Sequence, residues 1–85
     1  MKIVFIERKN IMDIFHKMER RDKYVIKFNE RELTGIRTGD EKIVDFADAL
    51  RFNFCTNVNK TSTHWTVRLS DLFYIIFDEI KYYFI

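Results

Sequence analysis

The pattern of apolar positions changes period several times along this chain. Residues 2–6, KIVFI, are apolar at every position after the lysine, which predicts a short strand, buried on both faces if it is central in a sheet. Asn10 then offers a helix N-cap, with Asp13 placed in the first turn to favour the dipole. Ile11, Ile14, Phe15 and Met18 follow at the spacing of one buried helical stripe, which predicts a helix ending near Arg21 and Asp22. Residues 23–28, KYVIKF, alternate and predict a half-buried strand. Asn29 and Glu30 are a turn into a second strand over 33–37, where Gly35 suggests a bulge or a close approach.

Thr38-Gly39-Asp40-Glu41 has the chemistry of a helix start, with Asp40 as cap or Thr38 and Glu41 as a capping box. Ile43, Phe46, Ala47 and Leu50 then repeat a helical stripe. Alternation returns over 52–58 and 63–69, which predicts a hairpin with its loop at 59–62. Ser70 and Asp71 open the last segment, SDLFYIIFDEIKYYFI, as cap and first-turn acid of a third helix. On a wheel of ~100° per residue, Leu72, Phe73, Ile76, Phe77, Ile80, Tyr83 and Phe84 share an arc of about 140°. Tyr74, Ile75 and Tyr82 fall outside that arc, on the side carrying Asp78. They either flank a wide buried face or form a partner surface, for which tyrosine is well suited.

The expected architecture is an α+β domain in the order β-α-β-β-α-β-β-α, a mostly antiparallel sheet packed by three helices. Its 85 residues make a single compact domain over 1–85, without proline, linker or repeat. At this size roughly 60–65% of the unfolded surface is buried, so each large apolar side chain matters. Nine Phe, four Tyr and one Trp are enough to fill such a core without staples. Cys55 stands alone, which excludes an intrachain disulfide and suits a reducing compartment. Asn59-Lys60-Thr61 has the form of a glycosylation acceptor but reads as a turn. With no leader-like start and charges interrupting the apolar tail, the expected location is the cytoplasm of a bacterial host cell, with no membrane partner.

Net charge is +2, with eleven Lys/Arg against eight Asp/Glu in residues 1–43 and four against five in 44–85. That mild balance does not by itself demand a nucleic-acid partner. His16, Cys55 and His64 are scattered over three predicted elements, so no metal site and no cofactor are expected. Cys55 and His64 could meet across the hairpin, but Cys55 lies between Phe54 and Thr56 like an inert strand residue, and no catalytic residue is assigned. Two charge constellations remain. Lys17, Arg20, Arg21 and Lys23, with Lys27 beyond them, crowd the end of the first helix, where they complement its dipole or hold phosphate. Glu41, Asp45 and Asp48 stand at i, i+4, i+7 on the second predicted helix, an acidic ridge that is either a solvated face or a dock for a basic groove.

Residues 10–28, NIMDIFHKMERRDKYVIKF, resemble the N-terminal helix-plus-strand of small phage-encoded anti-CRISPR proteins that inhibit Cas9. The shared pattern is Asn-Ile-x-Asp-Ile, a charged helix end, and a Tyr-x-Ile-Lys strand. The family's inhibitors are strongly acidic DNA mimics, whereas this chain is net positive. The resemblance therefore implies binding to another surface of such an effector.

The expectation is a non-enzymatic phage or mobile-element inhibitor that blocks a host defence protein complex, such as a CRISPR effector ribonucleoprotein. Its partner-binding residues would be Glu41, Asp45, Asp48, Tyr74, Ile75, Asp78 and Tyr82. The alternative is a nucleic-acid-binding accessory protein using Lys17, Arg20, Arg21, Lys23 and Lys27. A homodimer through the C-terminal helix is compatible with either.

Overall fold

The computed structural model describes residues 1–56 and 62–85. Among these residues eight strands form one mixed sheet: β1 (Lys2–Ile6), β2 (Lys23–Phe28), β3 (Arg31–Arg37), β4 (Lys42–Val44), β5 (Ala49–Cys55), β6 (Ser62–Arg68), β7 (Leu72–Phe77) and β8 (Ile80–Phe84). Among the described residues the one α-helix, α1 (Ile11–Phe15), is a turn and a half long, and single 3₁₀ turns stand at Arg8–Asn10, Asp45–Ala47 and Leu69–Asp71. The strands run β1-β8-β7-β2-β3-β5, and β6 closes the far side of β5. β1 and β8 are parallel, and every other pairing is antiparallel.

β3 and β4 share one edge of β5. Arg37 is opposite Phe54 and Lys42 is opposite Arg51, so residues 38–41 face only Phe52 and Asn53. The surplus is thrown out as a bulge that bends the strand. Its Glu41 turns inward and is buried. There Arg37 Nε donates to Glu41 Oε1 at 2.9 Å, Gly39 N–H donates to Oε2 at 3.0 Å, and Arg37 Nη1 donates to the Met18 carbonyl. The bulge is thus stitched to the chain leaving α1.

The sheet curls strongly around its inner face. Phe28 of β2 and Trp65 of β6 are separated by two strands, which in a flat sheet would stand them about 14 Å apart. Their ring centroids are 5.4 Å apart. Within the curl, Tyr24, Ile26, Phe28, Leu50, Phe52 and Ile75 are buried, and Ile11, Ile14 and Phe15 of α1 close over them. Gly35 permits a close approach within this core. A Cβ there would come within 2.5 Å of the Phe54 ring, which crosses β3 at this point to meet Tyr24 edge-on at 5.7 Å.

The expected α+β arrangement of three helices is corrected to a mostly β fold with one short helix. The Ile11, Ile14, Phe15, Met18 stripe is buried as its spacing predicts, yet helix ends at Phe15 and not near Arg21. The segment expected as a second helix is β4, a 3₁₀ turn and the start of β5. Ile43 and Leu50, seven apart, face each other across two strands, while Phe46 is 95% exposed. Asp48 takes a left-handed φ of 49°, which ends the turn where a helix would have continued.

The expected third helix is the β7–β8 hairpin. Asp78 and Glu79 have φ of 53° and 61°, the two left-handed residues of a type I′ turn. Tyr74 pairs with Tyr83 and Ile75 with Tyr82. The predicted 52–58 and 63–69 hairpin forms as β5 and β6, three and one residues earlier at their starts. Its loop at 59–62, with Asn59, Lys60 and Thr61, lies outside the described residues except for Ser62, as does Val58 of the predicted strand. Among the described residues no helix is long and apolar enough to cross a membrane.

Candidate functional site on the outer face of the sheet

Strand alternation divides the side chains into an inner set around α1 and an outer set on the convex face. The outer face is not a plain polar surface. Phe5 of β1 is in register with Tyr83 of β8, Tyr83 with Tyr74 of β7, Tyr74 with Lys27 of β2, and Lys27 with Glu32 of β3. One straight row therefore crosses five strands as Phe5-Tyr83-Tyr74-Lys27-Glu32. The row beside it reads Ile3-Lys81-Ile76-Val25-Thr34.

At the aromatic end of the first row Tyr74 and Tyr83 are half-buried and Phe5 is open to solvent. Phe5 stacks on Tyr83 with centroids 6.0 Å apart, and Tyr83 meets Tyr74 edge-on at 5.7 Å. Phe5 remains 67% exposed. The Lys81 ammonium lies 4.1 Å from the Tyr74 ring centre and 5.0 Å from that of Tyr83, within cation–π range of both. The Tyr74 hydroxyl donates to Glu32 Oε2. That bond to a carboxylate holds the phenol in its neutral form, and its pKa is pushed up to about 12.

Charge on this face is one-sided. Lys81, Lys27 and Lys23 project from β8 and β2, and Lys42, Arg51 and Arg68 continue the set across β4, β5 and β6. Among the described strand residues of the outer set, the one carboxylate is Glu32, already engaged by Tyr74. Asp40 approaches from the bulge, 3.4 Å from the Asn53 amide. At the β2–β3 end, Arg20 and Arg21 border a cavity of about 410 Å³ with Ile36, Thr38 and Cys55.

The predicted site residues are dispersed. Of the basic set, Lys23 and Lys27 reach the outer face, Arg20 and Arg21 stand at its rim, and Lys17 turns instead toward the Tyr82 ring, 5.6 Å away. Glu41 is buried against Arg37, so Glu41, Asp45 and Asp48 make no helical ridge. Asp45 and Asp48 are exposed around Phe46 at the β4–β5 turn. Ile75 and Tyr82 belong to the core, Tyr74 to the outer aromatic row, and Asp78 to the β7–β8 turn. Cys55 is in register with Ser62 and His64 with Asn53, so the two are diagonal neighbours on the outer face. Among the described residues no group of three or more His, Cys, Asp or Glu side chains is gathered as a metal site would require.

Phe5, Tyr83 and Lys81 were not singled out from sequence. Their signal is alternation inside the apolar runs 2–6 and 80–84, where every second residue is an outer-face position. No protein-family model, curated protein or solved structure matches this chain.

Proposed function

We propose that the chain binds single-stranded nucleic acid on the outer face of its sheet, without catalysis. The observation that carries this reading is the in-register aromatic row Phe5-Tyr83-Tyr74 running into Lys27, with Lys81 against its rings. Exposed rings give bases a face to stack on, and flanking cations meet the phosphates, which is how sequence-tolerant single-strand binders work. Lys23, Arg20 and Arg21 extend the cationic track past Lys27 toward the β3 end of the face.

The test is fluorescence anisotropy with labelled oligo-dT and oligo-U across a salt series. Three engaged lysines, Lys23, Lys27 and Lys81, give a log–log salt slope of about −2 for single strands. Tyr83→Ala is expected to weaken binding roughly 5- to 150-fold, the value of one lost base stack of ~1–3 kcal/mol. Absent binding at low salt, or an affinity indifferent to both salt and Tyr83, sinks the reading.

One observation favours the second reading, a blocker of a host protein complex such as a CRISPR effector. Phe46 is 95% exposed between exposed Asp45 and Asp48, away from the strands of the aromatic row. The turn is held by Asp48 N–H to Asp45 O at 3.2 Å and Leu69 N–H to Asp48 O at 3.0 Å. A rigidly presented aromatic with acidic flanks suits an apolar pocket with a basic rim. Inhibition of guide-loaded Cas9 cleavage that disappears in Phe46→Ala and in Asp45→Lys/Asp48→Lys would support it. Unchanged cleavage in the presence of the wild-type chain removes it for that effector.

A further inference from the structure

The two ends of the sheet are built differently. β6, at one end, carries Ser62, Thr63, His64, Thr66 and Arg68, polar residues that discourage further pairing. β1, at the other end, is KIVFI, with Ile3 55% and Phe5 67% exposed, and no described strand pairs with its outer edge. An apolar edge strand with no proline, bulge or central charge is a template for another strand.

The direction of the free main-chain groups follows from the parallel pairing with β8. Lys2 N–H donates to Glu79 O at 3.2 Å, and Ile6 O accepts from Ile85 N–H at 3.0 Å. In a parallel pair alternate residues turn both groups to the same neighbour. Lys2, Val4 and Ile6 therefore serve β8, while Ile3 and Phe5 present their N–H and C=O groups at the open edge.

We propose that a second copy of this chain occupies that edge, β1 against β1 in an antiparallel, two-fold arrangement centred on Val4. In this register Ile3 is opposite the partner's Phe5 and Phe5 opposite the partner's Ile3, each pair exchanging both its N–H···O=C bonds. The same pairs bring four exposed apolar side chains together on the outer face, as cross-strand neighbours. Charge selects the direction. The strand is flanked by exposed Lys2 at one end and exposed Glu7 at the other. In this register Lys2 is opposite the partner's Ile6, one position from the partner's Glu7, so oppositely charged ends meet, whereas parallel apposition sets Lys2 against Lys2 and Glu7 against Glu7. The result is a closed isologous dimer with one sheet running through both copies. It also sets each aromatic row in line with the partner's Ile3-Lys81-Ile76 row, so the outer faces of the two copies form one continuous surface. Dimerisation does not depend on the nucleic-acid reading.

Proline at position 3 is the discriminating substitution. It removes only an outward-facing N–H, which an edge strand tolerates when that edge faces water. Light scattering at tens of micromolar is expected to give twice the 10.5 kDa chain mass for wild type and the single-chain mass for Ile3→Pro, with the circular dichroism unchanged. Should Ile3→Pro fail to fold, Ile3→Lys sets two like charges into the interface and serves the same comparison. A wild-type monomer, or a dimer that survives both substitutions, overturns the proposal. Ile3→Pro keeps Phe5, Tyr83 and Tyr74, while Tyr83→Ala keeps the β1 edge. Loss of dimer and loss of oligonucleotide binding are therefore read on separate variants, and either idea can fail alone.

Discussion

Gly35 lies directly beneath the Phe54 ring, so close that a single added carbon would stand 2.5 Å from Cζ. The absent side chain is what lets Phe54 reach over β3 to Tyr24, and it couples strand pairing to core packing. A second obstacle is main chain, the Cys55 carbonyl oxygen at 2.6 Å, in the short β3–β5 pairing. Gly35→Ala is therefore expected to cost about 3 kcal/mol, the upper end of overpacking. Phe54→Leu added to it should recover only part, because the carbonyl cannot withdraw as a ring can. Urea midpoints of the two variants check this; full recovery in the double variant would mean that the ring contact alone matters.

Glu41 and Arg37 form a buried pair whose removal is asymmetric. Glu41→Ala leaves the Arg37 guanidinium, 15% exposed, with one fewer partner, and strips Gly39 N–H of its acceptor. A loss of about 3 kcal/mol follows from leaving a buried charge uncompensated. Replacing both, as Arg37→Met with Glu41→Leu, should cost less than Glu41→Ala alone, since no charge is then stranded. Thermal unfolding of the single and double variants decides, and a double variant worse than the single would show that the tie from Arg37 to Met18 O dominates.

How much of this was legible follows from the same residues. The α1 stripe and the 23–28 strand were readable because each has one apolar face and thus one period, and 33–37 followed from the turn at Asn29 and Glu30. The tail was not, because both its faces are largely apolar: Leu72, Ile75, Tyr82 and Phe84 pack inward while Tyr74, Ile76 and Tyr83 lie on the outer face. The apolar run 72–77 fits a helix and a strand equally well, and Asp78-Glu79 lacks the Asn-Gly signature that announces a type I′ turn. In 42–50 the i, i+7 pair Ile43 and Leu50 is satisfied equally by one helix face or by a cross-strand pair. Of the site, Lys23, Lys27 and Tyr74 were in view, but a row of residues from five strands exists only once register is known.

Tyr24 carries a buried hydroxyl that finds no hydrogen-bond partner among the described residues. Burial raises its pKa well above the ordinary tyrosine value, the Glu41 charge adds to the rise, and Arg37 partly offsets it. A phenol whose folded pKa is raised holds its proton longer in the native state. Its contribution is fully present below pH ~10 and is lost as pH climbs toward the folded value. Tyr24→Phe removes both the unpaired hydroxyl and this alkaline penalty. It is expected to stabilise by about 1 kcal/mol at neutral pH and by more above pH ~10. Melting curves from neutrality upward test it; a Tyr24→Phe protein less stable than wild type would reveal a hydrogen bond that the hydroxyl makes after all.

Tyr74 titrates for a different reason, which separates it experimentally from Tyr24. Its largest cause is the hydrogen bond to Glu32, so the proton is held by one named acceptor at the surface. Glu32→Gln replaces a charged acceptor with a neutral one, and the Tyr74 pKa should fall from about 12 toward the ordinary value of 10. Site-resolved carbon NMR of the tyrosine rings is the measurement, because the chain has four tyrosines. The sign follows from which state keeps the proton. Between pH ~10 and the raised value the native state alone retains it, so wild type loses this contribution on rising through that window and the variant has little to lose. The same bond orients the ring that meets Tyr83 edge-on and lies under Lys81. Tyr74→Phe keeps the ring but frees its orientation, and oligonucleotide affinity should fall less than in Tyr83→Ala. Equal losses in the two variants would mean that the hydroxyl itself contacts the ligand, not only the ring face.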